Sequence, residues 1–76
     1  MVTPPRSYVI RINGRLGPAA LSAFPTMVYE IEGSETVLTG LIQDRSALFG
    51  VLGQIEALGL ELIDLRQIRP RPEPPE

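Results

Sequence analysis

The feature that most constrains the fold is a set of short segments in which apolar and polar residues alternate, a period typical of strands with one buried face. In "SYVIRINGRL" this alternation places Tyr8, Ile10 and Ile12 on one side. "TMVYEIEGSETVLTGLI" contains two more alternating segments, joined at Gly33-Ser34. A two-residue Gly-X connection between such segments predicts a hairpin with a type II′ turn.

One segment instead has helical periodicity. The apolar residues of "DRSALFGVLGQIEALG" recur at three- and four-residue spacing, which predicts an amphipathic helix. We expect Asp44 to be its N-cap and Gly59 its left-handed C-terminal stop. The stripe predicted to face the core is Leu48, Val51, Leu52, Ile55 and Leu58.

Two further segments complete the chain. "LGPAALSAFP" predicts at best a two-turn helix, because Pro18 fits a first helical turn and Pro25 must end it. "LELIDLRQI" predicts a last strand with Ile63 and Leu65 on one face and Leu62 ambiguous. The order is therefore strand, short helix, strand, strand, helix, strand.

This order predicts an α+β fold, namely a ferredoxin-like βαββαβ sandwich with a shortened first helix, a four-stranded antiparallel sheet and one long helix. The short first helix predicts that one side of the helical layer is under-filled. The alternative is a ββαβ-type meander in which residues 17–25 are only a loop. Residues 1–6 are expected to be a flexible tail, 7–69 a single domain and 70–76 a proline-rich tail.

The composition removes most catalytic side chains. The chain of 76 residues contains no cysteine and no histidine, and all seven of its basic residues are arginines. Ser-His and Cys-His arrangements, thiolate metal sites and Schiff-base lysines are thereby excluded. We therefore expect no enzyme and no catalytic, cofactor-binding or metal-binding residues. Glu30 and Glu32 share a strand face, but such a surface pair is more often simply solvated than bound to a cation.

The charge and hydropathy patterns also restrict the partners. A net charge of −2 argues against nucleic-acid binding through a basic surface, and the predicted open face lacks the aromatic residues that stack on bases. No apolar run is long enough to span a membrane, and "MVTPPRSY" lacks the apolar core of a signal peptide. We expect a cytoplasmic protein with no nucleic-acid partner and no membrane span.

Two faces are candidates for contact with another protein. Alternation places four apolar side chains near one another on the open side of the sheet, rimmed by Arg11, Glu30 and Glu32. These four are Val9, Val28, Val37 and Leu41. The alternative is that β-branched residues are present there for strand propensity alone.

The outer side of the long helix is the second candidate. Small, uncharged residues at helical spacing permit close approach by another element, with Phe49 beside them as an apolar anchor. The small residues are Ser46, Gly50, Gly53 and Ala57. The alternative is that Gly50 fits a tight contact with residues 17–25 of the same chain, near Phe24, and that Gly53 is merely tolerated.

The part from Thr36 to Leu65 resembles a group of small, uncharacterised bacterial proteins. The shared pattern is a T-x-L-T-G strand, an Asp cap, an A-L-x-G-x-L helix and an L-G-L exit. The matching residues are Thr36, Leu38, Thr39, Gly40, Asp44, Ala47, Leu48, Gly50, Leu52, Leu58, Gly59 and Leu60. The resemblance implies a fold and no activity, and it differs at Phe49, where the pattern usually has histidine, and at Gly53 and Ala57, where it is usually polar.

These observations predict a small non-enzymatic protein-protein interaction module, either a homodimer or a minor subunit of a larger assembly. The alternative is an ACT-type small-metabolite sensor domain that binds its ligand at a protomer interface, where Asp44 and the main chain near Gly40 would line the site. An enzyme of the small dimeric α/β-barrel kind is disfavoured, because histidine and other basic groups on which such enzymes commonly depend are missing.

Overall fold

The computed structural model describes residues 6–68, which form a four-stranded antiparallel sheet with two helices. The predicted α+β class is therefore confirmed. Arg6 belongs to the first strand rather than to a tail, and the other predicted tail residues lie outside the described part. In chain order the elements are β1 (Arg6–Asn13), α1 (Pro18–Leu21), β2 (Val28–Glu32), β3 (Glu35–Ile42), α2 (Arg45–Ala57) and β4 (Glu61–Ile68).

The strands lie in the order β2-β3-β1-β4, so β1 and β3 are central and β2 and β4 are the edges. The alternation predicted for β1 is confirmed, because Ile10 and Ile12 are fully buried against the helices. Ile10 lies opposite Leu38 of β3, and these side chains form a core with Phe24 and Ile55. The opposite face of the sheet, called the open face below, carries no helix within residues 6–68.

The predicted hairpin joins β2 to β3 at Gly33-Ser34. Glu32 pairs with Glu35, so the connection has two residues. Gly33 has a φ of +62°, whereas no residue other than glycine has a positive φ within the described range. A positive φ at the first turn residue alone is the requirement of a type II′ turn, because type I′ needs it at both.

The ends of α2 are those predicted. The carboxylate of Asp44 accepts a hydrogen bond from the amide of Ala47 at 2.8 Å. At the other end Gly59 has a φ of +71° and its amide donates to Glu56, while the amide of Leu60 donates to Ile55. These two hydrogen bonds give partners to main-chain carbonyls that the end of the helix would otherwise leave without a donor. Of the predicted stripe only Ile55 is buried, whereas Leu48, Val51 and Leu52 are half-buried and Leu58, the C-cap residue, is exposed.

The first helix is a single turn, Pro18–Leu21, so residues 17–25 are not merely a loop. Phe24 follows it and is buried in the core. One turn covers little of the sheet, and all residues of β2 are exposed, including Tyr29 and Ile31 on the helical side. The helical layer is therefore under-filled above β2.

The alternation that predicted Ile63 and Leu65 on one face of β4 is interrupted, and Leu62, which the sequence left ambiguous, lies with Leu65 on the helical side. A register shift lies opposite Arg11 and Ile12, so that Leu65 pairs with Ile10 and Leu62 pairs with Ile12. Ile63 is the extra residue of a β-bulge, which reverses the alternation on one side of it.

Candidate interaction surfaces

The open face is built by the register of the four strands. Val28, Thr39, Val9 and Arg66 form one row across the sheet. The next row contains Glu30, Val37, Arg11 and Asp64. Leu41 lies two positions beyond Thr39 on β3 and pairs with Ser7. The structure thus brings the four predicted apolar residues into two adjacent rows and one flanking position.

These four side chains differ in exposure. Val28 is 71% exposed and Leu41 is 55% exposed, whereas Val9 is half-buried and Val37 is buried among its neighbours. The apolar surface available for contact therefore lies mainly at Val28 and Leu41, with the half-buried Val9 in the same row as Val28. Val37 is buried and adds little to this exposed apolar surface.

Arg11 pairs with two glutamates at the edge of the apolar residues of the open face. The guanidinium of Arg11 donates to the carboxylate of Glu35 at 2.8 Å and to that of Glu32 at 3.4 Å. These hydrogen bonds, with Glu35 the stronger cause, raise the pKa of Arg11 above its ordinary value. Glu32 is therefore engaged by Arg11 rather than paired with Glu30 as a cation site. Within residues 6–68 no group of three or more acidic residues is placed to hold a metal ion.

The outer face of α2 is open. Ser46, Gly50, Gly53 and Ala57 are all exposed, and Phe49 is 62% exposed. A Cβ atom added at Gly50 or Gly53 would have no atom within 4 Å apart from those of the adjacent residues and of the helix's own main chain. The interpretation that Gly50 fits a tight contact with residues 17–25 of the same chain is therefore wrong.

A cleft of about 440 Å³ lies where α2 begins and where β1, β3 and β4 meet it. Its lining residues include two arginines, Arg6 and Arg45, and Asp44, whose carboxylate caps α2. Its other lining residues are Tyr8, Ile42, Gln43, Leu48 and Gln67. Gly40, near which the main chain was predicted to line a metabolite site, is not among them, although Ile42 two residues further on is.

Gly40 has a steric function that the alternation pattern does not reveal. A Cβ atom at this position would lie 3.0 Å from the carbonyl oxygen of Thr26 and 3.1 Å from the Cα atom of Met27. Glycine thus allows the segment before β2 to lie close against β3. The signal in the sequence is a glycine within a strand pattern, which often marks such a close approach.

Thr36, the first residue of the T-x-L-T-G pattern, has a structural function that the pattern does not reveal. It is fully buried, and its hydroxyl accepts from the amide of Leu16 at 3.0 Å and donates to the carbonyl of Gly14 at 2.7 Å. This hydroxyl fixes the chain where it leaves β1, and it supports the sheet rather than a surface for contact.

Among residues 6–68, no helix is both long and apolar enough to cross a membrane. No curated protein and no solved structure matches the chain. A family model described as a domain of unknown function, DUF8691, matches residues 7–66. That match covers both helices, β2 and β3 completely and most of β1 and β4. The chain therefore belongs to the DUF8691 family of domains of unknown function.

Proposed function

We propose that this chain is a non-enzymatic protein-protein interaction module that acts as a homodimer or as a minor subunit of a larger assembly. The observation that carries this proposal is the exposure of large apolar side chains on faces that no element of residues 6–68 covers. Val28 and Leu41 lie on the open face, and Phe49 lies on the outer face of α2. Contiguous exposed apolar surface is characteristic of contact sites in small proteins.

The size of the domain supports the proposal. A domain of this length buries only about 60% of the surface that its unfolded chain exposes, so its own core is small. The core cluster contains six fully or nearly buried side chains. A partner placed on the open face would give the sheet a second apolar layer, as packing of sheets face to face does in two-layer folds.

Variants that replace apolar contact without changing strand or helix propensity would test the proposal. Val28→Thr combined with Leu41→Thr removes methyl groups from the open face, and Phe49→Gln does the same on α2. Sedimentation velocity of the wild-type protein and of these variants would measure self-association, with circular dichroism as the control for folding. We expect one of the two variant sets to weaken association by about tenfold or more.

Co-purification of tagged protein from its native cell would test the subunit form of the proposal, with the same variants as controls. A stoichiometric partner that the variants lose would support it. A wild-type monomer at high micromolar concentration, together with no partner that depends on these side chains, would overturn the proposal in both forms.

We also infer a ferredoxin-like arrangement. Its support is that β3 lies between β1 and β2 and that β1 lies between β3 and β4, so each strand-helix-strand unit encloses a strand of the other. An experimental structure would test this by the handedness of the two crossovers. A cytoplasmic location and the absence of a nucleic-acid partner stay predictions of the sequence.

The cleft at the start of α2 favours a second candidate function, an ACT-type sensor of small metabolites. Two arginines, one aspartate and two glutamines among its lining residues suit a small ligand that carries a carboxylate. A thermal-shift screen with amino acids and nucleotides would test this function, and Arg45→Gln is the matched control. Stabilisation by a ligand that is lost in the control would support it, whereas no shift at millimolar ligand would overturn it.

A further inference from the structure

The outer edge of β4 is a second kind of contact surface. Within residues 6–68, β4 pairs only with β1, so the main-chain groups on its other side have no strand beside them. The strand has eight residues, and three of its apolar side chains, Leu62, Ile63 and Ile68, are exposed. The bulge at Ile63 interrupts this edge, so the regular part available for pairing is residues 64–68, and an unpaired edge of this kind is a template for another strand.

We propose that β4 pairs antiparallel with β4 of a second copy, which joins two sheets into one of eight strands. This inference rests on the proposed function, because it takes self-association as its form, and it adds a surface that the open face and α2 do not include. Both copies would then carry their helices on the same side of the joined sheet, since pairing at an edge preserves the two faces.

The charges of β4 select one register for this pairing. In an antiparallel pair, directly opposed residues project from the same face of the sheet. Two copies related by a two-fold axis meet this condition only when one residue of β4 lies opposite the same residue of the other copy. Centring on Asp64 would place two carboxylates together, and centring on Arg66 would place two guanidinium groups together. Centring on Leu65 places Asp64 of each copy opposite Arg66 of the other, which forms two cross-strand ion pairs.

The groups required for these pairs are available. Arg66 and Asp64 project from the open face, where their side chains are 79% and 42% exposed and lie 3.1 Å apart within one copy. In the proposed dimer each would keep that contact and gain an opposite charge across the axis.

The apolar side of the sheet selects the same register independently. Tyr29, Leu38, Ile10 and Leu65 form one row beneath the helices, and the row ends at the edge with Leu65 half-buried. Centring on Leu65 places the two leucines in contact and continues this row into the second copy. The neighbouring registers would oppose Leu65 to Ile63 or to Gln67 instead.

The other edge does not fit self-pairing. β2 is shorter, and its charged residues are Glu30 and Glu32 with no basic residue on the strand. Two copies of β2 would gather carboxylates without a compensating charge, which disfavours their pairing. The second copy is therefore assigned to β4.

A charge swap tests the proposal. Arg66→Asp would oppose carboxylates at both positions across the axis, and we expect the dissociation constant of the dimer to rise by about tenfold or more. Asp64→Arg should also weaken it, although Asp64 lies beside Arg11 within one copy, so Arg66→Asp is the cleaner single variant. The double variant Asp64→Arg with Arg66→Asp restores opposite charges and should return the constant to within about threefold of wild type.

Sedimentation equilibrium gives these constants, and circular dichroism verifies folding of each variant. In a mixed sample of labelled and unlabelled protein, we expect a nuclear Overhauser effect between the Leu65 methyl groups of two copies. Single variants that leave the dimer unchanged would overturn edge pairing, as would a double variant that folds but fails to restore it.

The same variants distinguish a failure of edge pairing at β4 from a failure of the proposed function. Dimers that Val28→Thr with Leu41→Thr dissociates but Arg66→Asp does not would overturn edge pairing and support contact through the open face. A wild-type protein that is monomeric at about 1 mM would also overturn edge pairing. In that case the co-purification experiment decides the subunit form of the proposed function.

Discussion

Replacing Gly50 and Gly53 of α2 with alanine should stabilise the isolated protein, because neither new methyl group meets an atom within 4 Å apart from those of the adjacent residues and of the helix's own main chain. Glycine in a helix interior costs about 0.5–1 kcal/mol relative to alanine, chiefly through the freedom of the unfolded chain. The two positions are three residues apart on one helix face, but each gain arises mainly in the unfolded chain, so together they should give about 1–2 kcal/mol. For a domain of this size, each kcal/mol raises the midpoint of thermal unfolding by roughly 4–8 °C.

Gly59 supplies the matched control. It follows the same helix, and a Cβ atom there would also meet nothing within 4 Å, but its φ is +71°. Gly59→Ala should therefore destabilise the protein by about 1 kcal/mol, because an L side chain strains that conformation. Urea unfolding followed by circular dichroism, at a concentration where the protein is monomeric, would measure the wild type, the two single variants in α2, their double variant and Gly59→Ala.

A loss of stability in Gly50→Ala or Gly53→Ala under those conditions would refute the reasoning, because it would show that another part of the chain covers this face. A gain in stability of the monomer that is accompanied by weaker self-association has a different meaning. It would place the outer face of α2 in the interface, where a methyl group obstructs the partner.

Three further substitutions follow from single contacts. Asp44→Ala should lower the free energy of unfolding by about 1 kcal/mol, since it removes the side-chain acceptor of the first helical turn. Asp44→Asn should retain most of the stability, and chemical denaturation measures both variants. Thr36→Val should cost about 1–3 kcal/mol, because a buried amide and a buried carbonyl lose their partner, and Thr36→Ser is the control that keeps the hydroxyl. Gly40→Ala should lower the midpoint of thermal unfolding, even though replacing a glycine restricts the unfolded chain. The reason is that two of the atoms that the new Cβ would crowd belong to the main chain. An unchanged or raised midpoint in calorimetry would contradict this prediction.

Those parts of the fold that depend on neighbours in sequence were predictable. The Asp44 cap, the Gly59 stop and the turn at Gly33 each need only a few adjacent residues with the right side chain or φ. The face of β1 was predictable for the same reason, since alternation in a central strand is enforced by burial on one side.

Other parts depend on contacts between distant residues and were not predictable. The bulge at Ile63 is set by how β4 fits β1, and the pattern "LELIDL" is compatible with either face. The close approach at Gly40 depends on the path of Thr26 and Met27. The exposure of Gly50 depends on where residues 17–25 lie, and because Phe24 turns into the core, that segment does not reach the outer side of α2.

The candidate surfaces were predictable as faces but not in their relative exposure. Strand alternation places Val9 and Val37 beside Val28 correctly, yet Val37 is buried because it lies in the middle of the sheet between charged neighbours in its row. Exposure rises where a neighbouring strand is missing, since Val28 lies on an edge strand and Leu41 lies beyond the part of β3 that pairs with β2.

The geometry of the sheet also distinguishes the two forms of the proposed function. Tyr29 and Ile31 lie on the helical side of β2, which the single turn of α1 leaves exposed. A partner on the open face lies on the other side of the sheet, and a second copy at β4 lies at the opposite edge, so neither covers these two side chains. A two-fold dimer of either kind therefore leaves apolar surface at β2, whereas the subunit form predicts a further partner there, an apolar strand or helix that completes the helical layer.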